Sequence, residues 1–208
     1  MIFQELHSTI ERLKKQFDTI SFDRKEELEK LSLYIKGKLD VHETPKLIVI
    51  CTHNSRRSHL GQLWLAVAAS YYQLPKIETF SGGTEATAFH PNAVAALQRI
   101  GFTLTIAEQA KNPVYQVRWQ TNQDAYEAFS KKFEDAPNPT KEFAAIMVCS
   151  EADEGCPYVP GTDFRIALPF DDPKAFDRTD KEAAKYDERC EQIGMEMLYV
   201  ISKVSENN

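Results

Sequence analysis

No stretch of this 208-residue chain approaches the roughly 20 consecutive apolar residues that a membrane-spanning helix requires. Its longest apolar runs, residues 63–69 and 143–149, are far shorter and read as core elements. The amino terminus, MIFQELHSTI, lacks the basic start and apolar block of a secretory signal. A basic excess is missing too. The 25 Lys and Arg are outnumbered by 31 Asp and Glu, and a net charge of −6 sets the chain against a phosphate backbone. Cysteine is scarce, and 4 residues make no disulfide framework. These absences argue against a membrane protein, a nucleic-acid binder and a disulfide-stapled secreted domain. They predict a cytosolic protein whose thiols serve chemistry, metal binding or packing.

What is present is enough apolar residue, 42% of the chain, for a real core. Residues 1–44 carry no strand signal. Ile10, Leu13 and Phe17 share one helical face, and Leu28, Leu31, Ile35 and Leu39 share another, so an N-terminal helical extension is expected there. From residue 45 to 208 the pattern alternates strands and helices, which predicts an α/β domain. Continuous apolar runs at 47–50 and 143–148 read as buried strands, and 77–80 and 164–168 read as two more strands of the same four-stranded parallel sheet. Ser81-Gly82-Gly83 is expected to close the second strand. Helical spacing of Leu60, Leu63, Trp64, Val67, Ala68 and Tyr71, and again over 92–100 and 183–204, supplies helices for both faces of that sheet. Residues 103–140 break the rhythm. Phe102, Leu104 and Ile106 alternate with polar residues, as do Tyr115, Val117 and Trp119, so an inserted β-hairpin is expected, followed by a short helix over 125–133. The face made by Tyr115, Val117 and Trp119 belongs either near the active rim of the sheet or over the N-terminal helices.

Chemistry concentrates in Cys51-Thr52-His53-Asn54-Ser55-Arg56-Arg57-Ser58. A cysteine ends a buried strand, an arginine follows six residues later, and a helix starts at once. Backbone N–H groups at a helix N-terminus make an anion site. The same dipole, with Arg57 beside it, favours the thiolate of Cys51. A guanidinium can grip two oxygens of a tetrahedral oxyanion, and Ser58 can donate to the thiolate. Thr52, His53, Asn54, Ser55 and Arg56 would line the cradle.

A second segment, Cys149-Ser150-Glu151-Ala152-Asp153-Glu154-Gly155-Cys156-Pro157, starts at the end of a later strand. Loops at the carboxyl ends of parallel strands converge on one edge, so Cys51 and Cys149 share a rim. The short polar linker to Cys156 suits a thiol relay. Two structural thiols or half of a zinc site are the other readings, although no Cys-x2-Cys or nearby His completes four ligands. Cys190, alone in the last helix, reads as packing. Phe170-Asp171-Asp172-Pro173 is an ordinary turn signal, but it follows the last strand onto the same rim. A carboxyl beside a bound oxyanion meets like charge and desolvation, which favour its proton-donating form.

Together the CTHNSRRS loop, the CSEADEGCP segment and the FDDP turn resemble the low-molecular-weight protein tyrosine phosphatase fold, and within it the thioredoxin-coupled arsenate reductases. The resemblance covers roughly residues 46–208 without the insertion at 103–140, and Ser81-Gly82-Gly83-Thr84-Glu85 is similar to the segment after the family's second strand. It implies Cys51 as nucleophile, Arg57 as oxyanion clamp, Ser58 as thiolate stabiliser and Asp172 as general acid. It also implies a Cys51–Cys149–Cys156 relay re-reduced by thioredoxin. No resident cofactor or metal is implied. Gln62 stands where some relatives place an acidic ligand for a monovalent cation, potassium. His53 stands where the family loop usually carries Gly, which points to crowding or an unusual backbone angle. Arg56 stands where such reductases often have a further Cys, and an extra cation there should tighten anion binding. The functions that remain are arsenate reduction, hydrolysis of phosphotyrosine or another phosphoester through a phosphocysteine, and non-catalytic oxyanion or redox sensing.

Overall fold

The computed structural model describes residues 1–122, 124–155 and 158–206. The chain opens with α1 (Gln4–Lys14) and α2 (Phe22–Asp40). Leu6, Ile10 and Leu13 make the buried stripe of α1; Leu28, Leu31 and Ile35 make that of α2. Ser21 caps α2, its Oγ accepting from the Arg24 amide at 3.3 Å. There follow β1 (Lys46–Cys51), α3 (Arg57–Tyr71), β2 (Glu78–Gly83), α4 (Pro91–Arg99), β3 (Thr103–Glu108), β4 (Val114–Arg118), β5 (Tyr126–Ala128), β6 (Phe143–Met147), α5 (Ser150–Gly155), β7 (Thr162–Ala167) and α6 (Glu182–Ser205).

Four strands form the parallel sheet that the alternation of strands and helices predicts, in the order β2-β1-β6-β7. Burial is nearly continuous along the central strands β1 and β6, as expected for strands covered on both faces, and lower along the edge strands β2 and β7. The long helix α6 packs on α3 at a very close crossing. A Cβ at Gly194 would lie 2.3 Å from Trp64 Cε2, so only glycine fits there. The N-terminal helices dock on the outside of α6. Ser32 donates to the Val200 carbonyl at 2.9 Å, Arg24 pairs with the buried Glu196 at 2.8 Å, and Arg12 forks onto Glu191. Among the described residues no helix is long and apolar enough to cross a membrane.

Two local expectations change. β2 does not close before Ser81-Gly82-Gly83 but runs through it. The hairpin β3–β4 is present, with Leu104 opposite Val117 and Ile106 opposite Tyr115, but residues 125–133 form no helix. Instead β5 adds a third antiparallel strand to β4. The helical spacing in that segment loses to the open edge of β4, where Tyr126 tilts against Trp119 at 5.7 Å and Ala128 is fully buried. The Tyr115–Val117–Trp119 face is buried. Tyr115 meets Phe89 edge-on at 5.6 Å, and the Trp119 indole donates to Ser70 Oγ at 3.1 Å. The N-terminus joins the same sheet, with the Phe3 amide donating to the Trp119 carbonyl at 3.0 Å.

Candidate active site

Cys51 is the last residue of the central strand β1, and the loop after it turns directly into α3. Its Sγ is buried 3.1 Å from Ser58 Oγ. Asn54 sits inside the loop and ties it in two directions. Its Nδ2 donates to Ser58 Oγ at 2.9 Å, and its Oδ1 accepts from the Lys131 amide at 2.8 Å. Asn54 also has a φ of +43°, a left-handed angle that Asn tolerates better than most residues. The unusual angle expected at His53 therefore falls one residue later. The His53 ring points outward, half exposed, 3.7 Å from the Glu85 carboxylate.

The rest of the loop is held by its neighbours. The Thr52 carbonyl accepts from the Glu85 amide at 2.8 Å and from Thr84 Oγ1 at 3.1 Å. Ser55 Oγ donates to the Ala88 carbonyl at 2.7 Å. Ser130 Oγ donates to the His53 carbonyl at 3.1 Å. A Cβ at Gly83 would meet Glu85 O at 2.2 Å and Asn54 N at 2.7 Å, which explains why β2 ends in glycine against this loop. Among the described residues, none of the backbone N–H groups from His53 to Ser58 donates to a protein carbonyl or side chain. A rigid loop with uncommitted amides at the start of a helix is suited to a tetrahedral anion.

Arg57 starts α3 and is almost wholly buried. It donates to the Phe170 carbonyl at 2.7 Å and to Asp172 Oδ2 at 2.8 Å, while its buried Nε–H has no partner. Asp172 also accepts from the Lys174 amide at 3.0 Å, which fixes the carboxylate beside the loop. Its neighbour Asp171 is 95% exposed and pairs with Arg189. Of the two acidic residues in the turn, the geometry thus brings Asp172, and not Asp171, to Arg57. Arg56 is oriented otherwise than the sequence suggests. Its guanidinium is engaged by Tyr186 Oη at 2.7 Å and Asp177 at 3.3 Å, with Asp172 at 4.0 Å. It buttresses the rim from behind, so its side chain is not the extra grip on an anion that was expected. Burial, and then the bond to Asp177, push the Tyr186 phenol up to about 12.

Cys149 follows β6 and is fully buried, with its Sγ 3.5 Å from Thr52 Oγ1, the side chain next to the candidate nucleophile. The short helix α5 begins one residue later and is tied to β7 by Arg165 on Asp153 at 2.6 Å. Cys156 lies outside the described residues. Burial pushes the Cys190 thiol up to about 12, as suits a packing residue far from reactivity. Gln62 points to β2 and the inserted sheet, donating to the Thr79 carbonyl at 3.2 Å and to Tyr126 Oη at 2.6 Å.

Ser130 and Lys131 were not foreseen as part of this site. Both lie in the segment whose spacing suggested a helix, and no pattern in the sequence links that segment to the loop. His59 also sits behind the loop, fully buried, stacked on Phe89 at 4.0 Å and bonded to Ser81 Oγ at 3.2 Å. Burial, with a further contribution from Lys131, drives its pKa well below the ordinary 6.5. The native state therefore binds fewer protons than the unfolded chain below pH 6.5, and stability falls as the pH drops through that value. Chemical denaturation between pH 7.5 and 5 should show this loss, at up to about 1.4 kcal/mol per pH unit from this group. In His59→Gln the same pH interval should give a visibly flatter profile. An unchanged profile would remove His59 as its source.

No family model matches the chain. It is 29% identical over 133 residues to an arsenate reductase of Halalkalibacterium halodurans, covering 64% of this chain and 77% of that one. It is 27% identical over 157 residues to an arsenate reductase of Bacillus cereus, covering 76% and 93%. In structure it is similar to a low-molecular-weight phosphotyrosine phosphatase of Vibrio cholerae, with a TM-score of 0.52 at 13% identity over 79% of this chain and 99% of that one. A low-molecular-weight protein tyrosine phosphatase of T. tengcongensis gives 0.50 at 15% identity over 79% and 100%.

Proposed function

We propose that this chain, a cysteine-based enzyme of the low-molecular-weight protein tyrosine phosphatase fold, reduces arsenate through a Cys51–Cys149–Cys156 thiol relay that thioredoxin re-reduces. The observation that carries the reading is the position of Cys149, buried against Thr52 and so beside the loop that begins with Cys51. Hydrolysis through a phosphocysteine has no use for a thiol in that place.

In this reading Arg57 and the loop amides hold the oxyanion, and the Cys51 thiolate attacks arsenic. One arsenic–oxygen bond breaks, and the proton from Asp172 leaves with that oxygen as water. The Cys149 thiolate then attacks Cys51 Sγ. The sulfur–arsenic electron pair stays on arsenic, which departs as arsenite, and a Cys51–Cys149 disulfide remains. The Cys156 thiolate attacks Cys149 and frees Cys51 as a thiolate. Two thiols have become one disulfide, and arsenic has gained two electrons. An external dithiol of the thioredoxin class reduces the Cys149–Cys156 pair. Ser58 and Asn54 steady the nucleophile at 3.1 Å and through the 2.9 Å bond between them.

Paired assays test the proposal: arsenite release with thioredoxin and its reductase, against hydrolysis of an aryl phosphate. Thioredoxin-dependent arsenite release is the expected result. Aryl-phosphate turnover without any arsenite would leave the phosphatase reading in its place. Asp172→Asn should slow the chemical step by about 10²–10⁴-fold, the range for a lost general acid. The effect should shrink with a leaving group that needs no proton, such as a nitrophenolate. Asp171→Asn should leave the rate near that of the parent enzyme, and the reverse pattern would show that the acid is the other carboxyl.

A further inference from the structure

Outside the loop, a cavity of about 810 Å³ opens between α3, the edge strand β2 and the inserted sheet. That size falls within the ordinary range of small-molecule sites, roughly 300–1,000 Å³. Its walls are more apolar than polar and partly aromatic, including Ala66, Leu74, Ile77, Trp119 and Tyr126; the carboxylates on it are Glu78, paired with Lys76 at 2.6 Å, and Glu127, which accepts from Gln116 at 3.0 Å. Lys131 also lines it, although that residue is only 4% exposed. Its ammonium donates to the Phe129 carbonyl at 3.3 Å and lies over the Phe129 ring at 4.6 Å. No carboxylate among the described residues forms an ion pair with it.

A buried ammonium without a counter-ion is costly. The cost shows in the amine itself, which burial pulls down to about 8 even though Asp135 acts in the opposite sense from farther away. An anion entering the cavity would supply the missing partner, and the aromatic walls would take a flat apolar body. We propose that this cavity is a second ligand site, one that binds a small planar aromatic acid with its carboxylate on Lys131.

The site would not be isolated from the catalytic loop. The Lys131 amide donates to Asn54 Oδ1, and the Lys131 carbonyl accepts from the Gly83 amide at 2.9 Å. An occupant that pulls on the Lys131 side chain therefore acts on the residue that holds Asn54 and, through it, Ser58.

Calorimetric titration of the full chain with 2-naphthoate and with its neutral analogue 2-naphthylmethanol tests the assignment. Saturating inorganic phosphate keeps the Cys51–Ser58 loop occupied throughout. The expected result is that naphthoate binds at least about tenfold more tightly than the alcohol, a difference worth about 1.4 kcal/mol. Lys131→Met should remove that preference while the alcohol still binds. Ala66→Phe should fill the cavity and weaken both ligands at least tenfold. Ile77→Trp, nearer the rim, serves the same purpose should Ala66→Phe fail to fold, as judged by its thermal midpoint. Three results would each overturn the proposal. They are no heat up to the solubility limit of naphthoate, a preference for the acid that survives Lys131→Met, and binding that a folded cavity-filling variant leaves unchanged.

Discussion

Cys51→Ser should abolish arsenate reduction and aryl-phosphate hydrolysis together, by on the order of 10⁴-fold or more, as removal of a covalent nucleophile does. The argument rests on what the loop can and cannot do for a hydroxyl. A serine at this position keeps the 3.1 Å contact with Ser58 and the anion-directed amides. It does not ionise near neutral pH, because an alcohol is intrinsically a far weaker acid than a thiol. The buried side chain changes little in volume, so the variant should fold and still bind inorganic phosphate. Retained phosphate binding with lost turnover, measured by calorimetry and by rate, is the expected signature. Full turnover by this variant would take the nucleophile away from Cys51. Arg57→Lys should also be severely impaired. Arg57 spans the Phe170 carbonyl and Asp172 with two different nitrogens, and a single ammonium cannot reproduce that fork or offer a further N–H to an anion.

The sequence foretells such an experiment because its strongest signals are short-range. Residues 47–51 form a run too apolar for anything but a buried strand, and the polar loop and helix that follow leave the cysteine nowhere to go but the strand's carboxyl end. The rim shared by Cys149 and Asp172 follows from parallel topology alone, and the structure places both beside the loop. Long-range pairing is where the reading stops. Residues 125–133 carry apolar side chains at helical spacing, and only the free edge of β4 makes Tyr126–Ala128 a strand. The same misreading hid Ser130 and Lys131, whose bonds to His53 and Asn54 join residues 77 positions apart. Arg56 failed for a related reason. Composition says that a second cation sits in the loop, but not that Tyr186 and Asp177, on the far helix and the turn before it, take its guanidinium away from the anion.

The order of disulfides should separate reduction from hydrolysis most sharply. A Cys51–Cys149 disulfide needs its sulfurs about 2 Å apart. Thr52 Oγ1, 3.5 Å from Cys149 Sγ, belongs to the residue beside Cys51, so the required displacement is local. The segment that has to make it in this proposal starts at Cys149 and continues into α5, a helix of 6 residues tied to β7 by Arg165 on Asp153 at 2.6 Å. β1 and β6 are paired over four residues in the centre of the sheet, which fixes the strand that ends in Cys51. A reduced sample given arsenate without thioredoxin should therefore stop after one turnover with a Cys149–Cys156 disulfide and one equivalent of arsenite. Cys156→Ser should stop at the same stoichiometry with Cys51–Cys149 joined instead, and Cys149→Ser should release almost no arsenite while still hydrolysing an aryl phosphate. Alkylation followed by peptide mapping reads out which pair has formed, with Cys190 expected as the alkylated thiol in every sample after denaturation. If arsenate leaves all four thiols free, and both variants hydrolyse aryl phosphate at the parent rate, the relay does not exist and the enzyme is a phosphatase.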